Sequence, residues 1–176
     1  REWSPAEFAD RLRAALAPNT KGVYLNTPNN PTGVVLDRAC LEALATVARE
    51  RDLWVISDEA YEHLLFDGAR HVSIGALPGM AARTVTAFTF SKSYAMTGWR
   101  VGYVVSPPAL RAQMGPLLSF YTTHGVFPSV QRAALAAVTG SQAEVDRMRR
   151  AYEERRNLLL EGLEGCSAVV VPPPRG

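Results

Sequence analysis

The most informative part of this chain is Ser91-Lys92-Ser93-Tyr94-Ala95-Met96-Thr97-Gly98-Trp99-Arg100-Val101-Gly102-Tyr103. It follows an apolar run and places one lysine shortly before an arginine. Lysine and arginine together number 19 in the chain, yet only Lys21 and Lys92 are lysines. Arginine replaces lysine well as a solvated charge, but its guanidinium stays protonated and cannot condense with an aldehyde. Lys92 alone would be an ordinary surface charge at a strand end, so its significance depends on the motifs around it.

Two upstream motifs also follow apolar runs. The first is Asn26-Thr27-Pro28-Asn29-Asn30-Pro31-Thr32-Gly33, whose prolines end a strand and whose glycine permits a sharp turn. The second is Ser57-Asp58-Glu59-Ala60-Tyr61, which puts Asp58 at the end of a buried strand. A buried aspartate is costly unless it meets a charge or several donors. Taken singly, the first motif could be a plain strand-to-helix turn and Asp58 a helix N-cap.

Together these motifs predict one site. In an open α/β sheet, ligands bind in the crevice beyond the carboxyl ends of the strands. Asn30, Asp58 and Lys92 would lie at such ends on three successive strands, and Tyr61 and Arg100 would join them. An amide, a carboxylate, an amine, a phenol and a guanidinium suit a flat, phosphorylated, aldehyde-bearing heterocycle. Pyridoxal 5'-phosphate has this chemistry.

These motifs resemble those of the class I and II aminotransferases, which are fold type I pyridoxal-phosphate enzymes. The likeness is greatest to the bacterial aspartate and broad-specificity members. Around the lysine, the residues that match in register are Lys92, Ala95, Met96, Gly98, Arg100, Val101 and Gly102. The resemblance implies an α/β fold, namely a three-layer α/β/α large domain with a mostly parallel sheet and one antiparallel strand, incomplete at both ends.

The resemblance also implies roles for individual residues. Lys92 would hold pyridoxal 5'-phosphate as an internal aldimine (a Schiff base) and act as the catalytic acid and base. Asp58 would pair with the pyridine nitrogen, while Asn30 and Tyr61 would bind the phenolic oxygen. The phosphate would be bound by Arg100, Ser91 and Thr89. Thr89 departs from the Ser or Gly usual in the family, but it keeps a hydroxyl group.

Hydrophobic periodicity predicts the elements that position this site. Helices are expected over 5–17, with Ser4 as N-cap, over 37–51, from Pro107, from Pro128 and over 142–164. Strands are expected over 22–26, 53–57, 85–90 and 100–105. The last of these follows Lys92 too closely for a parallel crossover, which takes about a dozen residues, so it should be antiparallel.

The resemblance further implies a domain organisation. Residues 1–140 would be part of the large cofactor-binding domain, 141–165 an interdomain helix, and 166–176 the start of a small C-terminal domain. We expect the chain to be a fragment of a longer polypeptide. The family's glycine-containing phosphate turn and ring-stacking aromatic would then precede it. The arginine that binds the substrate α-carboxylate would follow it.

Other features of the sequence indicate no second function. The net charge is +2 with both signs interleaved, which favours a solvated helix face over 142–164 rather than nucleic-acid binding. Cys40 and Cys166 are far apart and fit reduced cysteines in a cytoplasmic protein. The three histidines, His63, His71 and His124, are scattered, so no metal site is expected. No apolar run is long enough to span a membrane.

The resemblance therefore predicts a cytoplasmic, homodimeric transaminase that moves an amino group from an L-amino acid to a 2-oxo acid. Two alternatives share the same motifs: a carbon–sulfur lyase or decarboxylase, and an aminotransferase-like sensor domain of a transcription regulator. The amino donor stays open. In the family, the region of 119–127 helps to set side-chain specificity, and this chain has no arginine there for a second carboxylate.

Overall fold

The computed structural model describes residues 3–122, 125–166 and 172–176. Its strands are β1 (Gly22–Asn26), β2 (Trp54–Asp58), β3 (Thr84–Thr89) and β4 (Gly102–Val105). Its helices are α1 (Pro5–Ala15), α2 (Arg38–Glu50), α3 (Pro108–Tyr121), α4 (Pro128–Thr139) and α5 (Ala143–Leu163), with short 3₁₀ turns at Ile74–Ala76 and Thr97–Trp99. Every helix and strand predicted above is present, with ends that differ by two residues or fewer. Part of the predicted start of the small domain (166–176) and part of the region of 119–127 lie outside the described residues.

The four strands form one sheet in the order β1-β2-β3-β4. The pairs β1–β2 and β2–β3 are parallel, and the pair β3–β4 is antiparallel, which confirms the predicted direction of β4. The register pairs Asn26 with Asp58 and Thr89 with Gly102. The carboxyl ends of β1, β2 and β3 therefore meet the amino end of β4 at one edge of the sheet.

The close approach of β3 and β4 depends on a glycine. A Cβ added at Gly102 would lie 2.5 Å from the carbonyl oxygen of Phe88, closer than such atoms come in proteins. Glycine in a strand interior commonly marks a place where another backbone approaches closely. Gly102 therefore has a packing role. Because it has no side chain, β4 can pair closely with β3.

One face of the sheet carries the main apolar core. Helices α1 and α2 cover it, and its fully buried side chains include Leu41, Leu44, Leu53, Val55, Ile74 and Met80. Helix α1 begins with a capping box, in which Ser4 and Glu7 bond each other's backbone N–H groups. The alternation of side chains along a strand puts Tyr24, Trp54 and Ile56 on the opposite face, where they are exposed.

A second, smaller cluster supports the segment that contains Lys92. Phe90, Met96 and Val101 are buried there against Ala134 of α4. The backbone N–H of Met96 donates to the carbonyl of Phe90, and Phe90 in turn donates to Val101. These hydrogen bonds close the loop between β3 and β4, and the apolar cluster packs against it. The loop thus holds Lys92 at the surface of the protein.

Residues 174–176 pack beside the asparagine–proline loop. The backbone N–H of Arg175 donates to Gly33, and the N–H of Phe66 donates to the carbonyl of Arg175. Gly33 has a φ of 66°, and a Cβ there would overlap Pro174. This close approach ties residues 174–176 to the loop that carries Asn30. The division of the chain into domains and an interdomain helix stays a prediction.

Candidate active site

The loop after β1 is folded over the end of its own strand. Oδ1 of Asn26 accepts hydrogen bonds from Asn29 Nδ2 and from the backbone N–H of Asn30, both at 3.0 Å. Thr27 is buried, and its hydroxyl accepts from the N–H of Leu36 at 3.0 Å. These bonds leave the Asn30 side chain free to point along the sheet edge. Its Nδ2 donates to the Tyr61 hydroxyl at 3.0 Å.

Asp58 is the last residue of β2, and its backbone and side chain are both held. Its carbonyl accepts from the N–H of Thr27 at 3.3 Å and from Asn26 Nδ2 at 3.1 Å. Its Oδ1 accepts from the N–H of Ala60 at 3.2 Å, and its Oδ2 from the Tyr24 hydroxyl at 2.9 Å. The chain continues from Asp58 into turns, so the alternative of a helix N-cap is wrong.

Tyr24 is a partner of Asp58 that sequence reasoning missed. Its hydrogen bond to Asp58 raises the pKa of the Tyr24 phenol, because the carboxylate stabilises the protonated hydroxyl. The signal was present in the sequence, since the two-residue period of β1 puts Tyr24 on the same side as Asn26. It was hidden because aromatic residues in strands usually contribute packing rather than polar contacts.

Lys92 lies at the same edge, next to the pair formed by Asn30 and Tyr61. Its Nζ is 5.7 Å from the centroid of the Tyr61 ring, and its side chain is exposed. A tight turn follows, in which the N–H of Ala95 donates to the carbonyl of Lys92. The structure thus brings the predicted amine, phenol and amide together, although they lie 31 or more residues apart along the chain.

The predicted phosphate-binding residues surround the start and end of the Lys92 loop. Arg100 has a left-handed backbone with φ 51°, and its guanidinium donates to the carbonyl of Thr97 at 3.1 Å. The hydroxyl of Thr97 donates to the carbonyl of Ser91 at 2.9 Å, and the N–H of Ser91 donates to the Thr89 hydroxyl at 3.1 Å. Because the Thr89 oxygen accepts this bond, its own proton stays available for an anion.

The chemistry of these donors and acceptors fits pyridoxal 5'-phosphate. Asp58 is an acceptor for a cationic ring N–H, which is a stronger donor than the Tyr24 phenol that it meets here. Asn30 and Tyr61 already share a hydrogen bond and can both donate to one oxygen. Arg100 offers a planar fork for a phosphate. Among the described residues, no group of three or more His, Cys, Asp or Glu side chains is arranged to hold a metal ion.

Glu62 is a second carboxyl close to the site that sequence reasoning did not single out. Its side chain is 12% exposed, and its Oε2 is buried without a hydrogen-bond partner in the described part of the chain. Burial raises the pKa of Glu62 from 4.5 to about 7; the charges of His71 and Glu59 oppose each other in smaller effects. Nε2 of His63 lies 3.7 Å from Oε1 of Glu62.

We expect this carboxyl to make stability depend on pH. A group whose pKa is higher in the folded state stabilises that state below its unfolded pKa and loses this effect as pH rises through the folded pKa. The window here runs from about pH 4.5 to about pH 7. Glu62→Gln should therefore raise the stability of the intact protein at pH 8 by about 2 kcal/mol, after allowance for solvent screening, and change little at pH 4.5.

Thermal unfolding of the intact protein at pH 5 and pH 8 would test this expectation. Glu42→Gln is a suitable control, because Glu42 is an exposed carboxylate of α2 that pairs with Arg38. The control should keep the parent's difference between the two melting temperatures, whereas Glu62→Gln should reduce it. Equal differences in both variants would show that Glu62 ionises normally.

Comparison with known protein families identifies the family of this chain. The family model for aminotransferase class I and II matches residues 8–176. The chain belongs to this family. Within the described residues, no helix is long and apolar enough to cross a membrane.

Relatives of this chain are named for different amino acids. It is 48% identical over 155 residues to an arginine–pyruvate transaminase of Pseudomonas aeruginosa, covering 88% of this chain and 39% of that protein. It is 39% identical over 168 residues to an aspartate aminotransferase of Geobacillus stearothermophilus, covering 95% and 42%. The chain thus spans about two fifths of the length of the curated relatives that it matches.

The fold agrees with solved members of the family. An aromatic aminotransferase from Pyrococcus horikoshii superposes with a TM-score of 0.89 at 39% identity, covering 95% of this chain and 45% of that one. The aspartate aminotransferase from Thermus thermophilus with maleate gives 0.88 at 40% identity, covering 98% and 46%. These likenesses confirm the predicted fold type I class.

Proposed function

We propose that the intact protein is a pyridoxal-phosphate-dependent transaminase that moves an amino group from an L-amino acid to a 2-oxo acid. The observation that carries the proposal is the convergence of Lys92, Tyr61 and Asn30 beside Asp58 at one sheet edge. The names of the family and of its relatives support the same reaction class. Because those relatives are named for arginine, aromatic and aspartate substrates, the donor is proposed only as an L-amino acid.

The bound cofactor would supply an electron sink for the substrate Cα, and the chain's own residues would arrange and use it. Lys92 would carry the cofactor on its amine and, once released, move the proton at the substrate Cα. Lys92 is suited to this because its Nζ is exposed at the edge, beside the Tyr61 ring. A positioned acid–base group of this kind contributes about 10²- to 10⁴-fold to a rate.

The other residues would hold the cofactor and set its charge. Asp58 would keep a negative charge against the ring nitrogen, which favours its protonated form. Asn30 and Tyr61 would donate to the ring's phenolic oxygen. The phosphate would be held by Arg100, Ser91 and Thr89, with the guanidinium supplying two parallel N–H donors.

Borohydride treatment of the intact protein, followed by peptide mass spectrometry, tests this proposal. We expect a pyridoxyl-phosphate adduct on the peptide that contains Lys92, and none on the peptide that contains Lys21. No adduct after addition of the cofactor would contradict the proposal, and both alternatives with it, because all three share the Lys92 motif. An adduct without transfer to any 2-oxo acid would favour a lyase or decarboxylase.

The proposal extends to a homodimer in the cytoplasm, as the family resemblance implies. Helix α3 supports an association surface, because its apolar side chains Leu117, Leu118, Phe120 and Tyr121 are exposed. Light scattering coupled to size-exclusion chromatography of the intact protein would measure the number of subunits.

A further inference from the structure

A buried polar cluster lies on the core side of β2, behind the candidate active site. Its centre is Glu59, whose side chain is fully buried. Oε1 of Glu59 accepts from the Ser57 hydroxyl at 2.8 Å and from the Ser73 hydroxyl at 2.9 Å. Oε2 lies 2.6 Å from Nε2 of His71, a distance that fits donation from the imidazole N–H to the carboxylate. We call Ser57, Glu59, His71 and Ser73 the Glu59 cluster.

The cluster sits where an apolar side chain would be expected. Ser57 and Glu59 continue the inward-facing alternation of Leu53 and Val55, which belong to the main core. Glutamate is almost never fully buried unless it is paired, because removing a charge from water is costly. Ser57, His71 and Ser73 supply the hydrogen bonds that the buried carboxylate requires. The cluster thereby joins two separate segments of the chain, 57–59 and 71–73. Hydrogen bonds are directional, so a fully bonded buried cluster fixes the backbone more narrowly than apolar packing does.

The position of the cluster in the chain connects it to the site. Ser57 and Glu59 flank Asp58 on either side, and their hydroxyl and carboxylate bond each other beneath it. Because side chains alternate along a strand, Asp58 then projects from the opposite face. The backbone N–H of Glu59 also donates to Ala87 of β3 at 3.0 Å. Asp58 is therefore held between two anchored neighbours.

The same anchor controls the turn that carries Tyr61. The carbonyl of Glu59 accepts from the N–H of Glu62 at 3.3 Å, which closes a turn around Tyr61. A shift of Glu59 would thus move Asp58 and Tyr61 together. His71 and Ser73 belong to a separate segment of the chain. Their hydrogen bonds to Glu59 connect that segment to the candidate active site.

We propose that Glu59, held by His71, Ser57 and Ser73, is a positioning residue that sets the places of Asp58 and Tyr61 for pyridoxal 5'-phosphate. This inference rests on the proposed function. Glu59 acts through the backbone of its neighbours and does not itself reach the cofactor. Losing the cluster should therefore weaken and reorient the bound cofactor, an effect distinct from a general loss of stability.

The test uses the intact protein with pyridoxal 5'-phosphate and three variants. Glu59→Leu removes all three hydrogen bonds at similar volume, and Glu59→Gln keeps the shape and the serine bonds. Leu44→Ala removes a core contact of α2 and controls for lost stability, since Leu44 belongs to the main apolar core and not to the Glu59 cluster. The readouts are the dissociation constant of the cofactor, the visible circular dichroism of the bound cofactor and the melting temperature without it.

We expect Glu59→Leu to weaken cofactor binding at least about tenfold and to change the dichroism band. In metal sites, losing a residue that orients a ligand weakens binding by a similar factor. Glu59→Gln should recover most of both, and Leu44→Ala should lower the melting temperature while leaving both near the parent's values. If Glu59→Leu does not fold, Ser73→Ala gives the same comparison by removing one donor. Binding and dichroism that match Leu44→Ala would overturn the inference. A parent protein that binds no cofactor would instead overturn the proposed function.

Discussion

Lys92→Ala is expected to lower the transaminase activity of the intact protein at least about a thousandfold, within the range that a positioned acid–base group contributes. Alanine removes both the amine that would carry the cofactor and the group that would move the proton at the substrate Cα. The expected loss is in the rate constant for turnover more than in the Michaelis constant, because the substrate's carboxylate is not bound by Lys92. Steady-state kinetics with saturating pyridoxal 5'-phosphate would measure it.

Lys21→Ala provides a matched control, because Lys21 is the only other lysine in the chain. It precedes β1, at the end of the strand away from the site, and its backbone carbonyl accepts from the N–H of Trp54. The control should keep the parent's activity and its cofactor adduct. Turnover in Lys92→Ala at the rate of Lys21→Ala would remove Lys92 from the reaction.

The sequence was sufficient to predict which strand ends bring the candidate residues to one edge of the sheet. Each of the three motifs follows an apolar run, and parallel strands bring their carboxyl ends to one edge. The short connection from Lys92 to Gly102 then left only an antiparallel β4, which brings Arg100 to that edge. The contact between Asn30 and Tyr61 follows from this topology, because both residues come shortly after neighbouring strands.

The polar pairs within the site could not be predicted in the same way. Tyr24 and Asp58 meet because β1 and β2 pair in register, and that register is set by packing across the whole sheet. Glu59 was part of a quoted motif, but its burial depends on Ser73 and His71, which reach it from a separate segment. From the scattered spacing of the histidines we expect no metal site. That spacing gave no indication that His71 pairs with a carboxylate.

Helix ends showed a similar limit. Helix α1 was predicted to reach Ala17 but ends at Ala15, where Leu16 takes an extended backbone with ψ 121°. Leu16 still packs against the main core, so its four-residue spacing from Leu12 was a true signal of burial. The apolar period therefore locates the buried face of a helix more reliably than its last turn, which depends on local backbone geometry.

Asp58→Asn is expected to lower the rate of proton exchange at the substrate Cα by about 10²- to 10³-fold in the intact protein, the effect of losing one aligned electrostatic group. Asparagine keeps the shape of the side chain: its amide oxygen can still accept from the N–H of Ala60, and its Nδ2 can donate to the Tyr24 oxygen. What it loses is the negative charge that would keep the cofactor's ring nitrogen protonated. Exchange of the substrate α-proton in deuterated water, followed by proton NMR, measures this step apart from overall turnover.

Asp52→Asn is the matched control, because Asp52 lies just before β2, at the other end of the same strand from Asp58. Its side chain is 95% exposed and bonds Arg83, so its replacement should cost little. Cofactor content should stay close to the parent's in both variants, since Lys92 and the phosphate-binding residues would still hold the cofactor. Loss of cofactor in Asp58→Asn alone would assign Asp58 to binding. An unchanged exchange rate with full cofactor content would show that the charge of Asp58 does not assist the reaction.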